Sequence, residues 1–236
     1  NFKKIFRKRS FLEKEGYVKI PFSLDKSLIL EIKKDFNKYI TDPNSSYSAS
    51  NRSKKKIFIK EPLKINGIEK ITVSLNETLK EYFDGNFKVL KVSGWRTHYD
   101  ESRDLKHEKY IYSNYWHYDH YRTDILKIFI LLNEITDQNS GSTKIINHSN
   151  SNFLSRTLRF LDTSLSNFKL NNYLKKNKEL VISCDGKLGD IYIINTAKCL
   201  HSATIPSKNK FRDLIQLEVT KSLFDNQDPF EVLKKT

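Results

Sequence analysis

The chain has 236 residues, of which 38% are hydrophobic and 12% aromatic; that suffices for one domain with a sizeable core, is small for two, and argues against disorder as the default state. The formal net charge is +14, but only 9 of the 42 basic residues are Arg; the Lys excess, with abundant Asn and Ile, is what AT-rich codon usage produces by itself, and without a nucleic-acid motif a polynucleotide partner is not expected. The longest apolar candidate, Ile125 to Ile135, is interrupted by Lys127, Asn133 and Glu134, which excludes it as a bilayer span, and the two cysteines, Cys184 and Cys199, fit free thiols in the cytoplasm better than a disulfide-stapled secreted fold.

Residues 1–10 are basic and lack the apolar stretch of a signal peptide. Gly16 to Ile20 alternates apolar and polar residues and is stopped by Pro21, the pattern of a short strand. Leu24 to Ile40 carries Leu28, Ile29, Ile32, Phe36 and Ile40 at helical spacing and is expected to be an amphipathic helix. The Ser/Asn-rich stretch from Asn44 to Ser53, followed by Lys54-Lys55-Lys56, reads as a loop. A second helix is expected within Ile68 to Phe83, ending at Asp84-Gly85.

Beyond Asn86 the texture changes to short strands: Phe87 to Tyr99, Tyr110 to Asp119, Leu126 to Leu132, Thr143 to Asn147, Leu180 to Ser183, Asp190 to Asn195 and Leu214 to Thr220. Residues 152–176 interrupt them with a helical pattern that places Leu154, Leu158 and Leu161 on one face. Many short strands separated by turn residues point to a sandwich or barrel. We read one domain: a helical support region over 1–86, a β core over 87–220 and a tail over 221–236.

The chemistry concentrates at His117-Tyr118-Asp119, the later His201, and Arg212 eleven residues after it. In extended chain, residues i and i+2 share a side, so His117 and Asp119 can grip one ion while Tyr118 faces away. Two His and one carboxylate are the ligand set of non-haem Fe(II) oxygenases, which leave the opposite coordination positions open. Arg212 offers a planar fork of donors suited to a carboxylate. Arg96 and His98 alternate on the preceding strand and are candidates to face the same cavity and touch a co-substrate.

The set Trp116-His117-Tyr118-Asp119, Gly189-Asp190, His201 and Arg212 resembles the phytanoyl-CoA dioxygenase family, with the resemblance running from Glu15-Gly16-Tyr17 to about Thr220. It implies a mainly β fold with flanking helices around a double-stranded β-helix, a cupin-like jelly roll. It also implies that His117, Asp119 and His201 bind Fe(II), that Arg212 binds the distal carboxylate of 2-oxoglutarate, and that O2 and a small-molecule substrate complete the reaction. Halogenases of this fold lack the carboxylate, so Asp119 implies hydroxylation, or a related desaturation or cyclisation. Two positions depart from the family pattern: Asn147-His148-Ser149-Asn150 replaces the frequent Pro-Gly-Ser-His, and Ala203 stands where Ser often assists the co-substrate. A non-catalytic, cupin-like metal-binding protein is the second reading. The segments Asn44 to Lys56 and Asp100 to Tyr110 are candidates for a lid.

Overall fold

In the computed structural model, the described residues are 11–20, 24–48, 56–99, 114–119, 122–161, 163–224 and 228–234. Among these residues, ten strands lie in two antiparallel sheets. The larger sheet has the order β1 (Tyr17–Ile20), β8 (Ile191–Ile194), β5 (Leu126–Leu131), β10 (Phe211–Lys221), β4 (Phe87–His98), β3 (Lys56–Ile59) and β2 (Ser46–Ser48); the smaller runs β7 (Ile182–Ser183), β6 (Thr143–Ile145) and β9 (His201–Ala203). Together they form a jelly roll with helices packed on the outside.

Strand alternation divides the core. On the outer face of the larger sheet, Ile128, Ile130, Ile191, Ile193, Ile215, Leu217 and Val219 pack against two amphipathic helices, α1 (Lys26–Thr41) through Ile29, Ile32, Phe36 and Ile40, and α2 (Ile68–Phe83) through Ile71, Leu75 and Leu79. Asp25 caps α1 by accepting from the backbone N–H groups of Ser27 and Leu28. Helix α2 ends, as the sequence indicates, at Asp84, which takes the left-handed conformation at φ 50°.

The inner face is a ladder of rungs set by register. From one end these are Lys56, Thr97 and Arg212; then Phe58, Trp95, Leu214 and Leu131; then Ser93, Gln216 and Phe129; then Lys91, Glu218 and Lys127. The second rung, with Phe129, Ile145, Tyr192 and Ile194, is the apolar centre between the sheets.

Four expectations from sequence need correction. The stretch 44–53 expected as a loop contains β2, which pairs with β3 just beyond it, Tyr47 opposite Phe58. The strand expected over 110–119 forms no ladder within its described part, 114–119, whose pairing is an isolated bridge from His117 to His201. The helical pattern over 152–176 is two helices, α3 (His148–Thr157) and α4 (Ser164–Lys176), and Leu161 between them is 67% exposed and so leaves the face shared by Leu154 and Leu158. The region taken as a tail holds the short helix α5 (Glu231–Lys234), preceded by Phe230, which is buried in the core. Of the candidate lids, residues 49–55 and the whole of 100–110 lie outside the described residues.

Across β4 and β10, Arg96 and Asp213 are paired on the outer face. Asp213 is fully buried and receives the Arg96 guanidinium at 2.6 and 2.8 Å, together with Lys33 from α1. Removing the carboxylate strands two cations against the sheet, so Asp213→Ala is expected to lower unfolding free energy by about 3 kcal/mol, measured by urea denaturation.

Candidate metal and dicarboxylate site

His117 and His201 exchange backbone hydrogen bonds, N to O, at 3.0 and 3.1 Å, and their imidazole centroids lie 4.2 Å apart. The Asp119 N–H donates to Thr196 O at 3.1 Å, which keeps residues 117–119 extended. One ligand atom from each of His117, Asp119 and His201 lies within 4.8 Å of the others, close enough to hold one metal ion. Tyr118 faces away, its hydroxyl 2.7 Å from Ser155 Oγ.

Both imidazoles are oriented alike. His117 Nδ1 is 2.8 Å from Tyr115 O, and His201 Nδ1 is 3.1 Å from Cys199 O, so each ring donates backward to a carbonyl and turns the Nε2 lone pair toward Asp119. The residue before each His is also held. Asn167 on α4 accepts from Trp116 N at 2.7 Å and donates to Trp116 O at 3.1 Å, while Asn171 accepts from the Trp116 indole at 3.0 Å. Ser151 on α3, completely buried, accepts from Leu200 N at 2.9 Å and donates to Ile146 O.

Burial and the neighbouring His117 hold His201 below the usual histidine range, leaving it neutral and able to ligate at neutral pH. For Asp119, burial opposes ionisation, but His201 and Lys127 outweigh it and keep the carboxyl below its ordinary value. The Lys127 ammonium lies 2.6 Å from Asp119 Oδ2. Sequence reading missed this residue as part of the site; the available signal was a single Lys inside the otherwise apolar run of β5, whose six residues are all buried.

Arg212, 4% exposed, reaches from β10 to the smaller sheet, where Nη1 donates to Gly141 O at 2.7 Å and Thr143 Oγ1 at 3.1 Å. Gly141 adopts φ +87°, and a Cβ there would meet Pro206 Cγ at 2.7 Å, so the carbonyl that receives Arg212 depends on glycine. Burial lowers the guanidinium to about 10, still charged at neutral pH. Arg212 Nε, Thr97 Oγ1 and Trp95 Nε1 are buried without a hydrogen-bond partner among the described residues. Lys56 completes this end, its ammonium 4.5 Å from the centre of the Trp95 ring and 4.9 Å from that of Phe58. Burial, then the charges of Arg212 and Lys127, bring it down to about 7. Buried polar groups are normally bonded; donors from Arg, Trp and Thr left open beside two cations fit a carboxylate in their midst.

The structure thus brings His117, Asp119 and His201 together and places Arg212 on the same inner face. Arg96 and His98 lie on the opposite side of β4 from Thr97: Arg96 is engaged by Asp213 and stacks over Phe211, and His98 lies against the same ring. Asn133 also serves the fold, donating to Phe211 O and accepting from Asp213 N. Cys184 and Cys199 are free and buried.

No family model and no curated protein matches the sequence. Solved structures do share the fold. The non-heme alpha ketoglutarate dependent epimerase SnoN from nogalamycin biosynthesis is 12% identical at TM-score 0.65, over 94% of this chain and 84% of that one. EctD from S. alaskensis with 2-oxoglutarate and 5-hydroxyectoine is 13% identical at 0.64, over 91% and 75%. HygX from Streptomyces hygroscopicus, with nickel and 2-oxoglutarate bound, is 14% identical at 0.60, over 92% and 87%. At these identities the likeness establishes the fold.

The contacts at Trp116 give a test of how the ligands are positioned. Asn167→Ala is expected to weaken Co(II) binding by roughly tenfold, read from the d–d absorption of the metal during titration, whereas an exposed control, Lys169→Ala, leaves it unchanged.

Proposed function

We propose that this protein is an Fe(II)- and 2-oxoglutarate-dependent oxygenase of the phytanoyl-CoA dioxygenase branch, which hydroxylates a small-molecule substrate. The reaction balances as 2-oxoglutarate, O2 and a C–H bond giving succinate, CO2 and C–OH. The observation that carries this reading is that one face of one barrel holds both a two-His-one-carboxylate group and an open-donor cationic end at Arg212. Each feature alone has a bland explanation; together they match the two ends of a chelating dicarboxylate.

His117 Nε2, Asp119 and His201 Nε2 would hold the iron. When bound, iron supplies the activation of O2, driven by oxidative decarboxylation of the co-substrate. The chain's own residues do the rest. Arg212 and Lys56 neutralise the distal carboxylate, and Thr97 and Trp95 supply the donors that they otherwise leave unmatched. Lys127 lies against one oxygen of Asp119, and its charge helps keep the carboxylate ionised for a metal. The apolar rung of Trp95, Leu214 and Leu131 keeps water from the space between the two ends. Lys56 and Thr97 thereby take up the role that Ala203, lacking a hydroxyl, does not fill. No helix among the described residues is long and apolar enough to cross a membrane, and two buried free thiols suit a cytoplasmic setting.

Anaerobic addition of Fe(II) and 2-oxoglutarate is expected to give a weak visible charge-transfer band that is lost in His117→Ala and needs about 100-fold more 2-oxoglutarate in Arg212→Ala. Bound iron without the band would instead favour a metal-binding protein without turnover. The band also carries a pH test. Lys56 loses its charge as pH rises through about 7, so 2-oxoglutarate affinity should fall by roughly tenfold between about pH 6 and about pH 8.5. Lys56→Met should flatten that slope.

A further inference from the structure

The inner face of β10 changes character along its length. Arg212 occupies one end and Leu214 follows in the apolar centre, but the next two inward positions are Gln216 and Glu218, 8% and 7% exposed. On the other face of the same strand, Ile215, Leu217 and Val219 are all fully buried aliphatics. A sheet interior needing only to be filled would use the same residues on both sides. Gln216 Nε2 donates to Glu218 Oε1 at 3.0 Å, and neither side chain has another partner among the described residues. Lys127, directly across from Glu218, commits its ammonium to Asp119.

Beside the pair, the inward side of β4 reaches water. Ser93, opposite Gln216, is half-buried, and Lys91, opposite Glu218, is exposed, although both lie on the inward side of β4. Phe129 flanks Gln216 on its other side. The rung bearing Lys127, which touches Asp119, thus joins the metal group to a wall made of a carboxylate, an amide, a hydroxyl and one aromatic face. This is carbohydrate-binding chemistry: vicinal hydroxyls bridge carboxylate and amide groups, each donating to one and accepting from the other, while the C–H face of the ring rests on an arene.

We infer that Ser93, Phe129, Gln216 and Glu218 form the substrate-recognition wall of this site and that the substrate is a polyhydroxylated, sugar-like molecule. The inference rests on the oxygenase reading for what happens to that substrate, and extends it to substrate class. An acyl chain in this place would leave the free acceptors of Glu218 and Gln216 unmatched, and sites built to bond hydroxyls reject analogues lacking them by orders of magnitude.

The test uses saturation-transfer NMR with myo-inositol, methyl glucoside and glucosamine as probes and octanoate as the apolar comparator, on the metal-free protein and on the anaerobic Fe(II)/2-oxoglutarate complex. Transfer to at least one polyol and not to octanoate is expected, weakened about tenfold or more in Glu218→Gln and in Gln216→Leu. Ser93→Ala, at a half-buried position, is a third variant whose folding is not at risk and whose polyol affinity should also drop. Octanoate binding in preference to all three polyols, binding of none of them, or wild-type polyol affinity in all three variants would overturn the inference. The charge-transfer titration separates the two claims. If the band is absent while Glu218-dependent polyol binding persists, the cofactor reading fails and the recognition wall stands; a normal band without polyol binding means the reverse.

Discussion

His117 and His201 hydrogen-bond to each other through their backbones in both directions, and the geometry of the site follows from that bridge. A pair exchanging both bonds sets its Cα atoms about 5.5 Å apart with side chains on one side, so two imidazoles distant in sequence meet at a centroid distance of 4.2 Å. Each ring then donates to the carbonyl two residues before it. The same local device, used twice across one bridge, aims both Nε2 atoms at Asp119. Helices α3 and α4 reinforce it from behind, Ser151 holding Leu200 and Asn167 holding Trp116. The helices thus act on the ligands through the residues that precede them.

The interior is unusual in its charge. Arg212, Lys127 and Lys56 all point inward from the larger sheet, and the acidic groups among the inward residues of the ladder and the triad are Asp119 and Glu218. Each cation is eased locally: Arg212 by two neutral oxygens, Lys127 by Asp119, Lys56 by two aromatic faces. What remains unmatched is concentrated at the Arg212 end, where Nε, the Thr97 hydroxyl and the Trp95 indole stay open. A dianion reaching from this end toward His117, Asp119 and His201 would relieve the charge and the open donors together. The outer face of the same strands shows the contrast, since Arg96 and Lys33 are closed off by Asp213.

Along β10 this gives one strand three tasks in succession. Arg212 sets a buried guanidinium beside open donors, Leu214 separates the two polar ends, and Gln216 with Glu218 presents hydrogen-bonding groups beside the Lys127–Asp119 contact. On the other face, its aliphatic residues carry the main core against α1 and α2. The candidate site and the main core are thereby divided by the alternation of a single strand.

Much of this was legible in the sequence, for local reasons. The i, i+2 spacing of His117 and Asp119, the helical periodicity of Leu24 to Ile40 and of Ile68 to Phe83, and the strand texture beyond Asn86 depend only on neighbouring residues. The order His-x-Asp, His, Arg also picked out residues that the fold brings together on the inner face. What sequence left open was set by register and facing. Arg96 and Arg212 are both Arg on paired strands, but a shift of one residue puts Arg96 on the helix side with Asp213 and Arg212 on the barrel side with Thr97. Lys56 was one of three consecutive lysines beside an expected loop, and only the pairing of β3 with β4 lays it over Trp95. Lys127 looked like an interruption of an apolar run, and nothing in the sequence singled out Glu218. Their neighbours in space come from strands far away in the chain, so composition and periodicity alone could not supply those contacts, and only the folded sheets decided them.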